Sequence, residues 1–203
     1  PDVDAKTHKK ISTGKADNKF GISIKSFMNF YKSINQYRNI KLKALSVHIG
    51  SQILNEAPFN KTLMVLSNLI KKLNLDLEYV DLGGGFGISY SKMDKPINLK
   101  RYSDRVSKFA KKFRCKIIFE PGRSIVGNTG ILISKVQYIK KSNNKRFIIL
   151  DAGMNDFMRP ALYDAHHSII PVTKNNKKFN SSIEFVGPIC ESTCKFGKYK
   201  NYS

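Results

Sequence analysis

Three short apolar runs in this chain each end in residues that could bind or act on a small anionic molecule. The first run leads to His48 and Ser51, the second stops at three glycines, Gly83 to Gly85, and the third leads to Glu120 and Arg123. Backbone N–H groups of consecutive glycines can point at a phosphate because no Cβ blocks the approach. An imidazole, a carboxylate and a guanidinium beside such a bend would supply the other polar groups of a site for a phosphorylated ligand.

The glycine triplet fits neither of two well-known phosphate-binding motifs. A dinucleotide fingerprint that starts at Gly83 needs glycine at position 88, where the chain has Ile88. No Gly-Lys-Ser/Thr follows to form the phosphate loop of a nucleoside triphosphatase. The triplet is therefore interpreted as a bare anion-binding bend, with a tight turn as the structural alternative.

The segments between the runs have the periodicity of amphipathic helices. Helices are predicted over residues 56–72 and 98–113, with a further one before the first run. The apolar positions are Leu63, Leu66, Ile70 and Leu73, then Tyr102, Val106, Phe109 and Phe113, and before the first run Phe27, Phe30, Tyr31 and Ile34. The pattern predicts parallel strands joined by crossover helices, which is an α/β fold. The carboxyl ends of such strands lie at one edge, so the groups that end the three runs should meet there.

The formal net charge of +21 at pH 7 would first suggest a nucleic-acid partner. The lysines are scattered along the chain in pairs such as Lys9-Lys10, Lys71-Lys72 and Lys111-Lys112. This distribution is typical of solvated loops and helix ends and not of one binding patch. We therefore expect no nucleic-acid partner, with a basic RNA-binding module as the alternative.

Cysteine usage and hydropathy indicate the compartment. The three cysteines, Cys115, Cys190 and Cys194, are an odd number without a paired Cys-x-x-Cys spacing. A reduced, cytoplasmic protein is the simplest explanation. No signal peptide and no long apolar segment is present in this sequence, so no membrane association is expected.

The pattern changes after Arg123. Helical periodicity gives way to short apolar runs, separated by turns rich in Lys, Asn and Ser. Strands are predicted at residues 129–138, 146–150, 169–173 and 183–186, with a helix or loop over 151–167. We therefore predict a boundary near residue 124, followed by a mainly β region.

Five motifs follow one another along the chain. They are His48-Ile49-Gly50-Ser51-Gln52, Gly83-Gly84-Gly85, Glu120-Pro121-Gly122-Arg123, Arg159-Pro160-Ala161-Leu162-Tyr163 and Gly187-Pro188-Ile189-Cys190-Glu191-Ser192. In this order they resemble the diaminopimelate decarboxylases, pyridoxal phosphate enzymes of the alanine-racemase-like barrel class. Related ornithine and arginine decarboxylases share the histidine, glycine, Glu-Pro-Gly-Arg and cysteine elements and remain the alternative. The fourth motif and the Cys-Glu-Ser sequence favour the diaminopimelate branch.

The resemblance implies a pyridoxal phosphate-binding (β/α)8 TIM-type barrel followed by a C-terminal β domain. Residues 1–124 would be the C-terminal part of the barrel and residues 125–203 the start of the β domain, so the chain is expected to be a fragment. The implied reaction is decarboxylation of meso-2,6-diaminopimelate to L-lysine and CO2, the last step of lysine biosynthesis by the diaminopimelate pathway. A homodimer with shared active sites is implied, and no metal is.

By resemblance, the first three motifs bind pyridoxal 5′-phosphate. Glu120 would face the pyridine nitrogen and His48 would stack on the ring, and both would be catalytic. The remaining cofactor-binding residues would be Ser51, Gly83, Gly84, Gly85, Pro121, Gly122 and Arg123. The structural alternatives are a strand-end carboxylate that caps a loop for Glu120 and a satisfied core residue for His48. Arg123 could instead reach the substrate.

By the same resemblance, the last two motifs bind the substrate. Arg159 and Tyr163 would hold the distal carboxylate of diaminopimelate, for which a bidentate arginine is suited. Cys190 would donate a proton after CO2 leaves, and Glu191 would bind the substrate amino group, both across the dimer interface. The structural alternatives are a surface arginine before a helix-capping proline and a small, buried cysteine.

The chain also departs from the family pattern. No lysine in residues 1–203 has the setting of the lysine that carries the cofactor in this family, so these residues alone are predicted to be inactive. Thr193 and Cys194 stand where the family usually has Gly or Ser and then Asp, and His166 stands where an aromatic residue is common. A degenerate, non-catalytic homologue is therefore a further alternative.

Overall fold

The computed structural model describes residues 1–173, 182–200 and 202. Its contacts divide the chain into two compact units. The first comprises Pro1–Ser89 and Asp94–Thr129, and the second comprises residues 90–93 and 130–203. Each unit has its own cluster of buried apolar side chains. Within the described ranges, no helix combines the length and the apolarity needed to cross a membrane.

The first unit is built on a three-stranded parallel sheet. Its strands are β1 (Ala44–Ser46), β2 (Tyr79–Asp81) and β3 (Lys116–Ile118), paired in the order β1-β2-β3. Both strand pairings are in register, with Leu45 of β1 and Ile117 of β3 on either side of the buried Val80. The strands are shorter than the apolar runs that predicted them, because the chain leaves the sheet before each polar motif. The predicted α/β alternation is confirmed.

Crossover helices connect these strands, as the periodicity predicts. Helix α1 (Ile24–Ser33) precedes β1, α2 (Glu56–Leu73) joins β1 to β2, and α3 (Leu99–Phe113) joins β2 to β3. The short helix α4 (Arg123–Val126) follows β3. The side chains of Asn55 and Asn98 cap the first turns of α2 and α3 by accepting backbone N–H groups. The buried faces carry predicted residues, namely Phe27 on α1, Leu63, Leu66 and Ile70 on α2, and Tyr102, Val106 and Phe109 on α3.

An ion pair and an aromatic cluster join α2 to α3. The buried Glu56 accepts hydrogen bonds from Arg101 Nε at 2.8 Å and Arg101 Nη2 at 2.7 Å. The bonded guanidinium lowers the pKa of the Glu56 carboxyl. Ring centroids of Phe59 and Phe86 lie 5.2 Å apart, and each ring packs against Tyr102. These contacts fix the helix that follows β1 against the helix that follows β2.

The second unit is a four-stranded mixed sheet in the order β4-β5-β6-β7. The strands are β4 (Val136–Ser142), β5 (Lys145–Leu150), β6 (Ser182–Val186) and β7 (Lys195–Tyr199), and a short helix, α5 (Arg159–Tyr163), lies between β5 and β6. The pairs β4–β5 and β6–β7 are antiparallel, whereas β5 and β6 are parallel. Apolar residues of β5, β6 and β7 form the buried cluster of this unit.

Three details of this unit differ from the sequence prediction. The strand predicted at 129–138 begins only at Val136, and Ile131 and Ile133 are 87% and 74% exposed. The strand predicted at 169–173 is absent from these described residues, where Ile170 and Val172 are 79% and 90% exposed. Residues 129–135 and 169–173 are not paired with another strand among the described residues, and the four apolar side chains named above are exposed. A run of apolar residues was therefore not sufficient to predict a strand there. Strand β7 was not predicted, because its glycine and lysines obscure the alternation.

Candidate active site

The three predicted strand-end groups lie next to one another. His48, Gly83 and Glu120 each follow the end of their strand by two residues. Backbone hydrogen bonds continue beyond the strands, since Val47 N–H donates to Asp81 O at 3.0 Å and Glu120 N–H donates to Gly83 O at 2.9 Å. The sheet therefore brings an imidazole, a glycine bend and a carboxylate-bearing loop to its carboxyl edge.

Glycine is required in the bend because backbone segments pass in direct contact. A Cβ added to Gly84 would lie 2.1 Å from the carbonyl oxygen of Glu120. A Cβ on Gly85 would lie 2.2 Å from Gly50 O, and this glycine also has φ +92°. Gly83 has φ +65°, and its Cβ would lie 2.5 Å from Val47 O. The triplet thus joins the loops after all three strands.

Two of the three N–H groups of this bend already donate hydrogen bonds within the protein. This differs from the prediction that the glycine bend offers all of its N–H groups to an anion. Gly83 N–H donates to Asp81 Oδ1 at 2.8 Å, and Gly84 N–H donates to His48 Nδ1 at 3.2 Å. The first acceptor, Asp81, is the last residue of β2 itself, and the second, His48, follows the neighbouring strand β1. Gly85 N–H has no acceptor among the described residues. Because His48 Nδ1 accepts, the neutral imidazole carries its proton on Nε2.

Gln52 links the first and third motifs to the glycine loop, and its role was missed in the sequence. Its Nε2 donates to Ile88 O at 2.6 Å, while its Oε1 accepts from Ile88 N–H at 3.2 Å and from Arg123 Nη1 at 3.0 Å. Ser51, the preceding residue, is half-buried in the same loop. The position of Gln52 directly after Ser51 in the first motif was the signal that could have found it.

The strand-end residues are accessible. His48 and Glu120 are both exposed, so His48 is not the buried core residue of the structural alternative. Pro121 and Gly122 are also exposed and lead into the short helix α4 (Arg123–Val126). Arg123 is half-buried, with its guanidinium on Gln52. The carboxylate of Glu120 makes no hydrogen bond with any residue the structure describes.

Arg159 and Tyr163 belong to the second unit. They are the first and last residues of α5, four positions apart, so they lie on one face of the helix. Both are half-buried. Arg159 Nη1 donates to Tyr90 Oη at 2.5 Å and lies 3.3 Å from His167 Nε2. Arg159 is therefore not an unattached surface residue, and its two partners were not identified from the sequence.

Cys190 and Glu191 lie in the turn that precedes β7. The turn is closed by Gly187 N–H donating to Cys194 O at 2.9 Å and Cys194 N–H donating to Glu191 O at 3.0 Å. Cys190 and Glu191 are both exposed, so Cys190 is not a small buried residue. The departure at Cys194 has a structural reason, because this buried thiol accepts the N–H of Met154 at 3.4 Å. Cys194 therefore anchors the turn to the loop after β5.

Other candidate chemistry is limited. In the part of the chain that the structure describes, no group of three or more His, Cys, Asp and Glu side chains is arranged to hold a metal ion. The pKa of Asp151 is lowered because its carboxylate accepts hydrogen bonds from the Ser134 hydroxyl and the Lys135 N–H. That carboxylate fixes the segment before β4 and has no link to the motifs.

Known proteins with similar sequences are decarboxylases. The diaminopimelate decarboxylase of Zymomonas mobilis is 41% identical to this chain, and the alignment covers 100% of this chain. That of Aquifex aeolicus is 44% identical, and the alignment covers 95% of this chain. The alignments cover 49% and 46% of those two proteins. The chain thus spans about half the length of the curated relatives it matches.

Solved structures give the same result. The diaminopimelate decarboxylase of Helicobacter pylori, complexed with L-lysine, superposes with a TM-score of 0.88 at 38% identity. The enzyme of M. jannaschii, also in complex with L-lysine, gives 0.83 at 35% identity. Each match covers 100% of this chain, and it covers 50% and 49% of the two solved chains.

The family comparison covers the part of the chain that carries the three parallel strands. The pyridoxal binding domain of the pyridoxal-dependent decarboxylases matches residues 1–127. This range contains the strand-end histidine, the glycine bend and the Glu-Pro-Gly-Arg loop. The match covers more than half of the chain, and the resemblance seen in the motifs is confirmed. The chain belongs to the pyridoxal-dependent decarboxylase family, whose cofactor is pyridoxal 5′-phosphate.

Proposed function

We propose that the polypeptide carrying this chain is a diaminopimelate decarboxylase that converts meso-2,6-diaminopimelate to L-lysine and CO2, the last step of lysine biosynthesis by the diaminopimelate pathway. The observation that carries the proposal is the meeting of His48, the glycine bend and Glu120 at the carboxyl ends of three parallel strands. Relatives named for this reaction at 41% and 44% identity support the choice of substrate.

The proposal includes an architecture. Residues 1–124 would form the C-terminal part of a (β/α)8 TIM-type barrel, and residues 125–203 would begin a C-terminal β domain. Three parallel strands with crossover helices in the first range, and a mixed sheet in the second, support this division. The unpaired edges of β1 and β3 within the described sheet are where further barrel strands would pair.

The residues at the strand ends fit the cofactor. When bound, pyridoxal phosphate supplies a protonated pyridine ring that takes up the electron pair of the broken bond between Cα and the carboxylate. Glu120, exposed and without a hydrogen bond among the described residues, would hold the proton on the pyridine nitrogen. His48 would cover one ring face, with its orientation set by the Gly84 N–H.

The main proposed phosphate ligands are hydrogen-bond donors at the strand ends that are not bonded to another described residue. Gly85 N–H has no acceptor among the described residues and lies in the bend beside the Ser51 loop. These two residues would bind phosphate directly, whereas Gly83 and Gly84 would maintain the bend. The loop of Pro121 and Gly122 would contribute from β3. Arg123 would bind the phosphate or the substrate carboxylate, oriented by Gln52.

The substrate would be held by residues of the second unit. Arg159 and Tyr163 would bind the distal carboxylate, because a guanidinium matches a carboxylate with two parallel hydrogen bonds. Glu191 would bind the substrate ammonium. Cys190 Sγ would give its proton to the substrate carbon that loses CO2. By the family resemblance, this pair would serve the site of the neighbouring subunit, so the proposed assembly is a cytoplasmic homodimer.

Turnover of the full polypeptide tests the proposal. The protein to be tested is a polypeptide that contains this chain and has the full length of the curated relatives. It should release CO2 from meso-diaminopimelate and form L-lysine. Ornithine and arginine, tested at equal concentration, should give at least about tenfold less CO2, because they lack a second carboxylate for Arg159. Preference for ornithine or arginine would contradict the proposed substrate, and no CO2 from any of the three would support a degenerate homologue.

The 203 residues alone serve as a control. They are expected to release no CO2, since none of their lysines has the setting of the cofactor-bearing lysine of the family. Turnover by these residues alone, with a cofactor adduct that can be trapped by reduction, would show that one of their lysines takes that role.

A further inference from the structure

The guanidinium of Arg159 is held by two side chains of the second unit. Its Nη1 donates to Tyr90 Oη at 2.5 Å and lies 3.3 Å from His167 Nε2. Its Cζ atom lies 4.9 Å from the centroid of the Tyr90 ring, so the cation also rests against the aromatic ring. Tyr90 is 69 positions from Arg159 in the chain, whereas His167 is only eight positions away.

These contacts use one end of the guanidinium only. Both hydrogen-bond partners sit at Nη1, and no acceptor among the described residues is bonded to Nε or Nη2. The Nε and Nη2 atoms form one of the two edges through which arginine binds a carboxylate with parallel hydrogen bonds. The clamp therefore orients the guanidinium and keeps this edge available.

The His167 ring is itself fixed in orientation. Tyr90 and Phe157 pack against it edge-on, with ring centroids at 4.8 and 4.6 Å. The carbonyl oxygen of His167 accepts a hydrogen bond from Tyr199 Oη at 2.7 Å. To accept from a guanidinium, Nε2 must be unprotonated, so the neutral imidazole carries its proton on Nδ1.

We infer that Tyr90 and His167 are positioning residues, which hold Arg159 at Nη1 so that its Nε–Nη2 edge binds the distal carboxylate of the substrate. The inference rests on the proposed function for the identity of that substrate. It also explains selectivity between substrates. A guanidinium edge in a fixed orientation binds a planar carboxylate and repels the terminal ammonium group of a substrate such as ornithine.

Matched variants of the full polypeptide test the clamp. Tyr90→Phe keeps the ring under the guanidinium and removes the hydroxyl, and His167→Phe keeps an aromatic ring and removes the nitrogen acceptor. Each should raise KM for meso-diaminopimelate about tenfold and leave kcat within about twofold, as expected for loss of a hydrogen bond to a charged group. His167→Gln restores an acceptor near the position of Nε2 and should recover most of the affinity.

The neighbouring histidine provides the control. His166 is exposed, with its ring 6.2 Å from that of Tyr199, and it has no described contact with Arg159. His166→Phe should leave KM unchanged. An equal rise in KM for His166→Phe and His167→Phe would overturn the inference, as would an unchanged KM in both Tyr90→Phe and His167→Phe.

A second measurement does not depend on turnover. In the full polypeptide labelled with 15N-histidine, the His167 signal, assigned by its loss in His167→Phe, should show an unprotonated Nε2 at neutral pH. A proton on Nε2 in the absence of substrate would overturn the clamp. If the wild type releases no CO2, the proposed reaction is wrong. The inference is then tested by calorimetry, in which Tyr90→Phe and His167→Phe should each raise the Kd for meso-diaminopimelate about tenfold relative to the wild type.

Discussion

The strand ends of the first unit and the Arg159 cluster of the second unit are built in different ways. At the strand ends, the close contacts are made mainly by main-chain atoms. Gly84 packs against the carbonyl group of Glu120, and Gly85 packs against the carbonyl group of Gly50. In the second unit the contacts are made by the side chains of Tyr90, Arg159 and His167. A site built from backbone contacts has no room for added atoms, whereas a site built from side chains can change without disturbing the fold.

This contrast matches what each site is proposed to bind. The strand ends would hold a cofactor common to the whole family, so a geometry that allows no variation is acceptable there. The side-chain cluster would select the substrate, which differs between decarboxylases of related class. We therefore expect substitutions in the glycine bend to act on stability and those in the cluster to act on affinity.

The largest effect is expected for Gly84→Ala. Its Cβ would lie 2.1 Å from the backbone oxygen of Glu120, so the loop after β2 or the loop after β3 must move. We expect a loss of about 3 kcal/mol in the free energy of unfolding, measured with urea. Gly122→Ala is the matched control, since no heavy atom lies within 4 Å of its Cβ, and it should change stability by less than about 0.5 kcal/mol. Similar losses for both variants would show that the strand ends are not built on backbone contact.

Arg159→Lys should affect affinity much more than stability. Lysine keeps the charge but cannot form two parallel hydrogen bonds to a carboxylate, so KM for meso-diaminopimelate should rise by about 10- to 100-fold. Because the change also removes the contacts of Arg159 with Tyr90 and His167, the urea midpoint should fall slightly, but much less than for Gly84→Ala. Arg38→Lys, at an exposed turn position, is the control for loss of a guanidinium elsewhere. A large loss of stability in Arg159→Lys would mean that the second site, like the first, is part of the framework.

Glu56→Gln tests the side-chain contact that supports the strand-end site from α2 and α3. Because Arg101 lowers the folded-state pKa of Glu56, the ion pair stabilises the fold above the unfolded pKa of a glutamate, about 4.3. This stabilisation is lost as pH falls through the folded-state value. The difference in urea midpoint between wild type and Glu56→Gln should be present at neutral pH and shrink in acid.

The exposed residue Asp104 on α3 provides the control variant. Asp104→Asn should leave the urea midpoint at neutral pH close to that of the wild type. A midpoint difference for Glu56→Gln that stays constant from neutral to acid pH would mean that the Arg101 contact does not contribute through the charge of Glu56.

The smallest effect is expected for Tyr199→Phe. This change removes the hydrogen bond from Tyr199 Oη to the His167 carbonyl and should lower the free energy of unfolding by about 1 kcal/mol. Tyr138→Phe on β4 is the control, because Tyr138 is 65% exposed and should contribute little. If the two variants were equally stable, the backbone at His167 would not depend on this bond.

The helices and the strand-end motifs were predictable from the sequence, because their signals are local. The buried faces of α2 and α3 follow from the spacing of apolar residues along each helix. The common edge of His48, the glycines and Glu120 follows from parallel strands joined by helices of similar length. The unpaired apolar segment at 129–135 and the strand β7 could not be assigned in this way, because strand pairing depends on distant partners.

What only the tertiary structure decided was which polar atoms meet. The sequence identified the glycine bend, but the fold determined that Asp81 and His48 take two of its N–H groups and leave that of Gly85. The sequence likewise pointed to Arg159, but only the fold brought Tyr90 to its guanidinium across 69 positions. The physical reason is that periodicity and backbone freedom act over a few neighbouring residues, whereas a hydrogen bond between distant segments depends on the path of every loop that separates them.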